Sequence, residues 1–253
     1  MTNGQSPYGN YAYATVTAQA LRAPEAIAIT YCGTEQISYD ALNRRVNRRA
    51  HALATAGIKP GTVVASLLHE TLNVTELYLA EAKVGAVLAA MNPYWPDDVL
   101  VGVVEHAACP AFVYDAHFDD LVARIRPQLT GVELWLRVGG GMDGATDLDA
   151  LTADSPEDEP ELGAHGDDVM AYFYTSGTTG LPKAVVHTHA SSISVAQIWL
   201  DLPKGPDAVF GTGPIIWGIG FTAIAGPAGG MAWRIPAAPQ ELARRDRAQN
   251  VGR

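Results

Sequence analysis

Ten residues of this chain, Tyr174-Thr-Ser-Gly-Thr-Thr-Gly-Leu-Pro-Lys183, set four hydroxyls, two glycines and a lysine side by side. Glycines let a backbone turn its N–H groups toward an anion. Ser and Thr hydroxyls add neutral donors, and a lysine adds a full positive charge. An apolar run, Val169-Met-Ala-Tyr-Phe-Tyr174, comes directly before them. A strand that opens into such a loop and ends at a lysine suits phosphate, so nucleotide triphosphate chemistry is the leading reading. The string is neither the P-loop pattern GxxxxGK[ST] nor the dinucleotide pattern GxGxxG. For any short piece of it, a plain Ser/Thr/Gly turn is the competing reading.

The elements around the loop must hold it in place. An alanine-rich helix is predicted from about Tyr13 to Arg22, a strand over 26–31 and a hairpin turn over 32–36. Ser38 is a good cap for a helix from Tyr39 to Ala56, with Leu42, Val46, Ala50 and Leu53 as its apolar stripe and Gly57 just past its end. Arg44, Arg45, Arg48 and Arg49 lie largely off that stripe and read as a solvated face rather than an anion patch. Strands at 63–68, 85–90, 111–114 and 132–138 alternate with helices at 71–84, 97–107 and 117–129. Such alternation predicts βαβ units and a mainly parallel sheet. Residues 139–166, with three consecutive glycines and the acidic run Asp154-Ser-Pro-Glu-Asp-Glu-Pro-Glu161, read as a solvated surface loop.

Composition narrows the classes. The chain has 253 residues, a formal net charge of −10 and a pI near 5.0. Nonspecific nucleic-acid binding needs a basic surface, so no nucleic-acid partner is expected. No apolar run is long and uninterrupted enough to span a membrane, and the polar N-terminus lacks a signal peptide, so a cytoplasmic setting is the default. Cys32 and Cys109 show no metal-ligand spacing and read as buried thiols. No histidine pair has the spacing of a metal site, and no metal held by protein groups is expected. His187 is expected to end a strand and His189 to begin a helix, with neither acting as acid or base.

The full string Thr175-Ser-Gly-Thr-Thr-Gly-Leu-Pro-Lys183-Ala184 resembles the signature [ST]-S-G-[ST]-T-G-x-P-K-G of the AMP-forming adenylating superfamily. That superfamily holds acyl-CoA synthetases, nonribosomal peptide synthetase adenylation domains and luciferase. The departure is Ala184 for the final glycine. Further segments resemble the family in order: Ile37 to Arg49, Gly57 to Ala65, Ala82 to Pro93, and Val185-Val-His-Thr-His189. The resemblance runs from about Ala14 to about Pro236. It implies an α/β fold of stacked, mainly parallel sheets with flanking helices, the N-terminal part of the family's large domain. On this reading residues 1–236 are a partial AMP-binding domain and 237–253 an atypical polar tail.

The resemblance also implies a reaction. A carboxylic acid attacks the α-phosphate of ATP, giving an acyl-adenylate and pyrophosphate, and coenzyme A then displaces AMP. Thr175, Ser176, Gly177, Thr178, Thr179 and Gly180 would hold the phosphates, Lys183 would offset charge on the leaving pyrophosphate, and Mg²⁺ would bridge phosphates. Pro214-Ile-Ile-Trp-Gly-Ile-Gly220 is similar to the acyl-pocket motif, with Trp217, Gly218 and Gly220 lining the pocket. A core aromatic in a glycine-rich turn is an equal reading of Trp217. The family's downstream adenine and ribose elements and its small C-terminal domain with a mobile lysine do not occur in these 253 residues. Reduced stability is therefore expected, or dependence on a dimer mate or complementing chain. Two alternatives stay open: a catalytically incomplete remnant that binds nucleotide or acts as an interaction module, and a fragment of a nonribosomal adenylation domain.

Overall fold

A computed structural model describes residues 7–31, 35–69, 72–175, 180–201 and 233–235. A 3-10 turn, Pro7–Gly9, and a π-helical turn, Tyr13–Thr17, lead into α1 (Ala18–Arg22). Then come β1 (Ile27–Tyr31), β2 (Glu35–Ser38), α2 (Tyr39–Thr55), β3 (Val63–Leu67), α3 (Leu72–Val84), β4 (Val87–Ala90), α4 (Asp97–His106) and β5 (Ala111–Asp115). They are followed by α5 (Asp119–Ile125), β6 (Leu134–Val138), β7 (Thr146–Asp147), α6 (Leu148–Ala153), β8 (Val169–Thr175), β9 (Lys183–Thr188), α7 (His189–Asp201) and β10 (Trp233–Ile235).

The main sheet has seven strands in the order β7-β6-β5-β3-β4-β8-β9. Every neighbouring pair in it is parallel except β8 and β9. A smaller sheet has the order β10-β1-β2. The mixed α/β class with a mainly parallel sheet and flanking helices is therefore the observed one. β3 is central. The chain moves from it to β4 on one side, then crosses to β5 and β6 on the other. Their carboxyl ends form one rim, and in open α/β sheets such rims collect ligands.

Local chemistry explains the elements. The Ser38 hydroxyl accepts the Ala41 N–H at 3.2 Å and caps α2, whose Leu42, Val46, Ala50 and Leu53 are all buried. In α3, every residue from Val74 to Val84 is buried. A helix covered on all sides belongs inside a core, and any polar group on it needs a partner there. Glu81 takes a hydrogen bond from the Ser66 hydroxyl at 2.8 Å. Burial pushes its carboxyl up to about 8, so it stays protonated near neutral pH.

Three expectations need correction. The helix expected over 117–129 is broken into a 3-10 turn (Ala116–Phe118), α5 and a second 3-10 turn (Arg126–Gln128). Pro127 lies in that last turn and has no N–H to continue the α ladder. The span 139–166 is not a plain loop, because it carries β7 and α6, the latter capped by the Asp147 carboxylate on the N–H groups of Asp149 and Ala150. The acidic run is not free in solvent either. Glu157 pairs with Arg48 at 2.9 Å and Arg44 at 3.6 Å, and the Glu157 carbonyl accepts from Asn47 at 2.8 Å. The arginines of α2 are thus neutralised within the chain, and Arg49 is itself buried against Glu76 at 2.7 Å. Opposite charges meet here across more than a hundred residues, which helix periodicity alone does not encode.

Candidate functional site

The described ends of the signature string lie on paired strands. β8 and β9 run antiparallel, with Thr175 opposite Lys183, Tyr174 opposite Ala184 and Phe173 opposite Val185. The Thr175 hydroxyl also donates to the Lys183 carbonyl at 3.4 Å. Gly180 has a φ of +108°, a backbone state that L side chains rarely adopt, so glycine fits that turn. The arrangement brings the first hydroxyl of the string and its lysine to one end of one strand pair. Ser176, Gly177, Thr178 and Thr179 lie outside the described residues, as do Trp217, Gly218, Gly220 and Cys32.

The loop springs from the carboxyl rim of the sheet. β8 pairs with β4 through Leu88–Ala171 and Ala89–Tyr172, so residues 174–175 project past the end of β4 at Ala90. Among the described residues no carboxylate lies within ion-pair distance of the exposed Lys183. Its ammonium is open to an anion. The donors at this rim are backbone, hydroxyl and ammonium groups, a set suited to phosphate oxygens. Ala184, the departure from the signature, is exposed in β9, so its methyl meets solvent.

Further along the rim, sequence reasoning missed a cluster. The Asp115 carboxylate, at the end of β5, accepts the His69 N–H at 2.5 Å and the His117 N–H at 2.9 Å. The two imidazole rings lie 4.5 Å apart. Arg137 at the end of β6 holds Asp119 through two bonds of 2.7 and 2.8 Å. His117 is two residues from Asp115 in sequence, and the pairing of β3 with β5 brings His69 beside them. Among the described residues no set of three His, Cys, Asp or Glu side chains is placed to hold a metal ion.

The two histidines after the loop have structural work. β9 ends at Thr188 and α7 starts at His189, as expected. His189 is fully buried, and its Nδ1 accepts the Tyr11 N–H at 3.0 Å, tying the N-terminal turn to α7. Burial lowers its pKa to about 4, so the ring is neutral. His187 packs edge-on to Phe173 at 5.2 Å, and burial lowers its pKa too. Cys109 is a buried thiol pushed up to about 12 by burial, which makes it inert.

Comparison with known proteins agrees with this architecture. The family model for AMP-binding enzymes matches residues 16–247, and the chain belongs to that family. Long-chain-fatty-acid–CoA ligase FadD13 of Mycobacterium tuberculosis is 32% identical over 167 residues, covering 65% of this chain and 32% of that protein. The 3-hydroxybenzoate–CoA ligase of Aromatoleum sp. is 28% identical over 199 residues, covering 77% of this chain and 38% of that protein. The chain therefore spans about a third of the length of the curated relatives it matches. Among solved structures, the inhibitor-bound N-terminal domain of FACL13 from M. tuberculosis superposes with a TM-score of 0.80 at 25% identity, covering 92% of this chain and 59% of that one. The anthranilate CoA ligase AuaEII in complex with anthranoyl-AMP shares the fold, with a TM-score of 0.78 at 19% identity, covering 97% of this chain and 48% of that one.

Proposed function

We propose that this chain supplies the triphosphate grip of an AMP-forming acid–thiol ligase, which joins a carboxylic acid to coenzyme A through an acyl-adenylate. The observation that carries the reading is the register that sets Thr175 against Lys183, which has no carboxylate partner among the described residues, at the carboxyl rim in a chain of the AMP-binding family. The relatives' names supply the acid–thiol chemistry, and long-chain acids and 3-hydroxybenzoate are substrates in those names.

The physical difficulty of the first step is repulsion between a carboxylate and a polyphosphate. Ser176, Thr178 and Thr179 would donate hydroxyl hydrogen bonds to the β- and γ-phosphates, Thr175 would join them by turning its one O–H from the Lys183 carbonyl, and the Gly177 and Gly180 backbones would let N–H groups face them. Lys183 would neutralise charge that grows on the departing pyrophosphate. The carboxylate oxygen forms a bond to the α-phosphorus as the bond to the β-phosphate bridging oxygen breaks. No protein base is needed, because the acid is already ionised near neutral pH. Mg²⁺ would accompany the triphosphate and offset part of its charge. Trp217, Gly218 and Gly220 would line the acid pocket.

ATP–pyrophosphate exchange with a panel of aliphatic and aromatic acids tests the reading. The full chain is expected to catalyse acid-dependent exchange above a Lys183→Ala control. Folded protein with no exchange above that control for any acid would sink the claim that this chain activates acids.

A further inference from the structure

The loop's two arms rest on one helix. Gly102 sits in the middle of α4, where glycine is about 1 kcal/mol less favourable than alanine. A β-carbon at Gly102 would stand 2.7 Å from Leu181 Cδ2 and 3.3 Å from Cδ1. The bare backbone of α4 is therefore a notch that receives Leu181, two residues before Lys183. Leu181 keeps 43% of its surface exposed and is covered on its α4 side. On the other arm, Tyr174 meets Trp95 edge to face, with ring centroids 5.7 Å apart. Trp95 stands two residues before Asp97, the first residue of α4. Both contacts thus converge on the segment 95–102.

That segment is firmly held. Leu100, Val101, Val103 and Val104 are buried in the cluster that contains Phe112 and Trp135. Asp97 clasps Arg124 of α5 through bonds of 2.8 and 3.1 Å. Tyr174 packs against the same cluster, so the β8 arm and the segment 95–102 share one support.

We infer that Gly102 and Trp95 are positioning residues for the hairpin between Tyr174 and Lys183, with the notch at Gly102 as the seat for Leu181. The inference rests on the reading of that hairpin as a phosphate grip. Geometry at a phosphoryl centre is sensitive to small displacements, so a seat that fixes the loop from both sides sets how well its donors meet the phosphates.

Gly102→Ala tests it in the full chain. The obstructing atoms are the ends of a flexible leucine, so the methyl is accommodated by moving Leu181, and the helix gains propensity. The thermal midpoint is expected to stay level or rise. ATP affinity, by titration calorimetry, is expected to fall by roughly tenfold, the scale of one lost charge-assisted contact. Leu181→Ala is expected to weaken ATP similarly, and the double variant to lose no more than Leu181→Ala alone, because the added methyl then displaces nothing. Wild-type affinity in Gly102→Ala, or strictly additive losses, would overturn the seat. Hydrogen exchange of the amides at 180–185 in ligand-free protein separates this from failure of the phosphate reading. Faster exchange in Gly102→Ala supports the seat even if wild type binds no ATP, and unchanged exchange contradicts it.

Discussion

The His189 ring links the first turn of the chain to α7 by accepting the Tyr11 N–H, and it can do so only while Nδ1 is unprotonated. The folded protein therefore holds the neutral ring, with a pKa near 4 against an ordinary 6.5. Between those values the unfolded chain binds a proton that the folded one refuses. The stability this group contributes is complete above pH 6.5 and drains as pH falls toward 4. The full effect is about 3 kcal/mol. On going from pH 7 to pH 4.5, urea unfolding is expected to show wild type losing about 2 kcal/mol relative to His189→Gln, in which the opposing Glu81 contribution is unchanged. An equal change in the two proteins would remove His189 from the account. Glu81 works in the opposite direction, because its protonated form is the folded one. Its contribution is complete below about pH 4.5 and drains as pH rises toward 8, so the two groups oppose each other across the acid range.

At the scale of elements, the acidic segment after α6 is a strap, and Lys83 is its anchor. The Lys83 ammonium is fully buried, with Thr17, Asn43, Asn47 and Glu159 oxygens between 2.6 and 2.9 Å away. Four acceptors around three N–H groups suit a charged amine. Burial lowers its pKa to about 8, which leaves it protonated at neutral pH. One side chain thereby joins the N-terminal turn, α2, α3 and the strap. Lys83→Met is expected to cost about 3 kcal/mol in urea unfolding, the low end for a broken buried pair. Glu159 is 31% exposed and can turn to water, which limits the loss. A change under about 0.5 kcal/mol would show that the network is ornamental to folding. The strap also shows where sequence reading stops. Local signals placed α2 well, since Ser38, the apolar stripe and Gly57 are neighbours in sequence. The same holds for β8, β9 and the start of α7, and Thr175 and Lys183, eight residues apart in one signature, lie opposite each other on that strand pair. The charges of α2 and the strap read as two solvated runs, because their partners lie about a hundred residues away. The His69–Asp115–His117 cluster and the Gly102 notch were hidden for the same reason: each exists only once strands and helices are placed side by side.

For the whole molecule, charge is the telling property. Seventeen lysines and arginines face twenty-seven acidic residues, for a net charge of −10. All four arginines of α2 are tied to the chain's own carboxylates. A tetra-anion approaching this protein meets overall repulsion, so binding must come from donors concentrated at one place. On the proposed reading the carboxyl rim meets that requirement through Lys183, which has no carboxylate partner among the described residues. The measurement that bears most directly on this is ATP affinity of the full chain and of Lys183→Ala at fixed ionic strength, by titration calorimetry. A lost charge-assisted contact predicts a decrease of roughly tenfold or more for ATP and a small change for AMP, which lacks the outer phosphates. Equal ATP affinity in the two proteins, or equal losses for ATP and AMP, would contradict the account of Tyr174–Lys183 as a triphosphate grip.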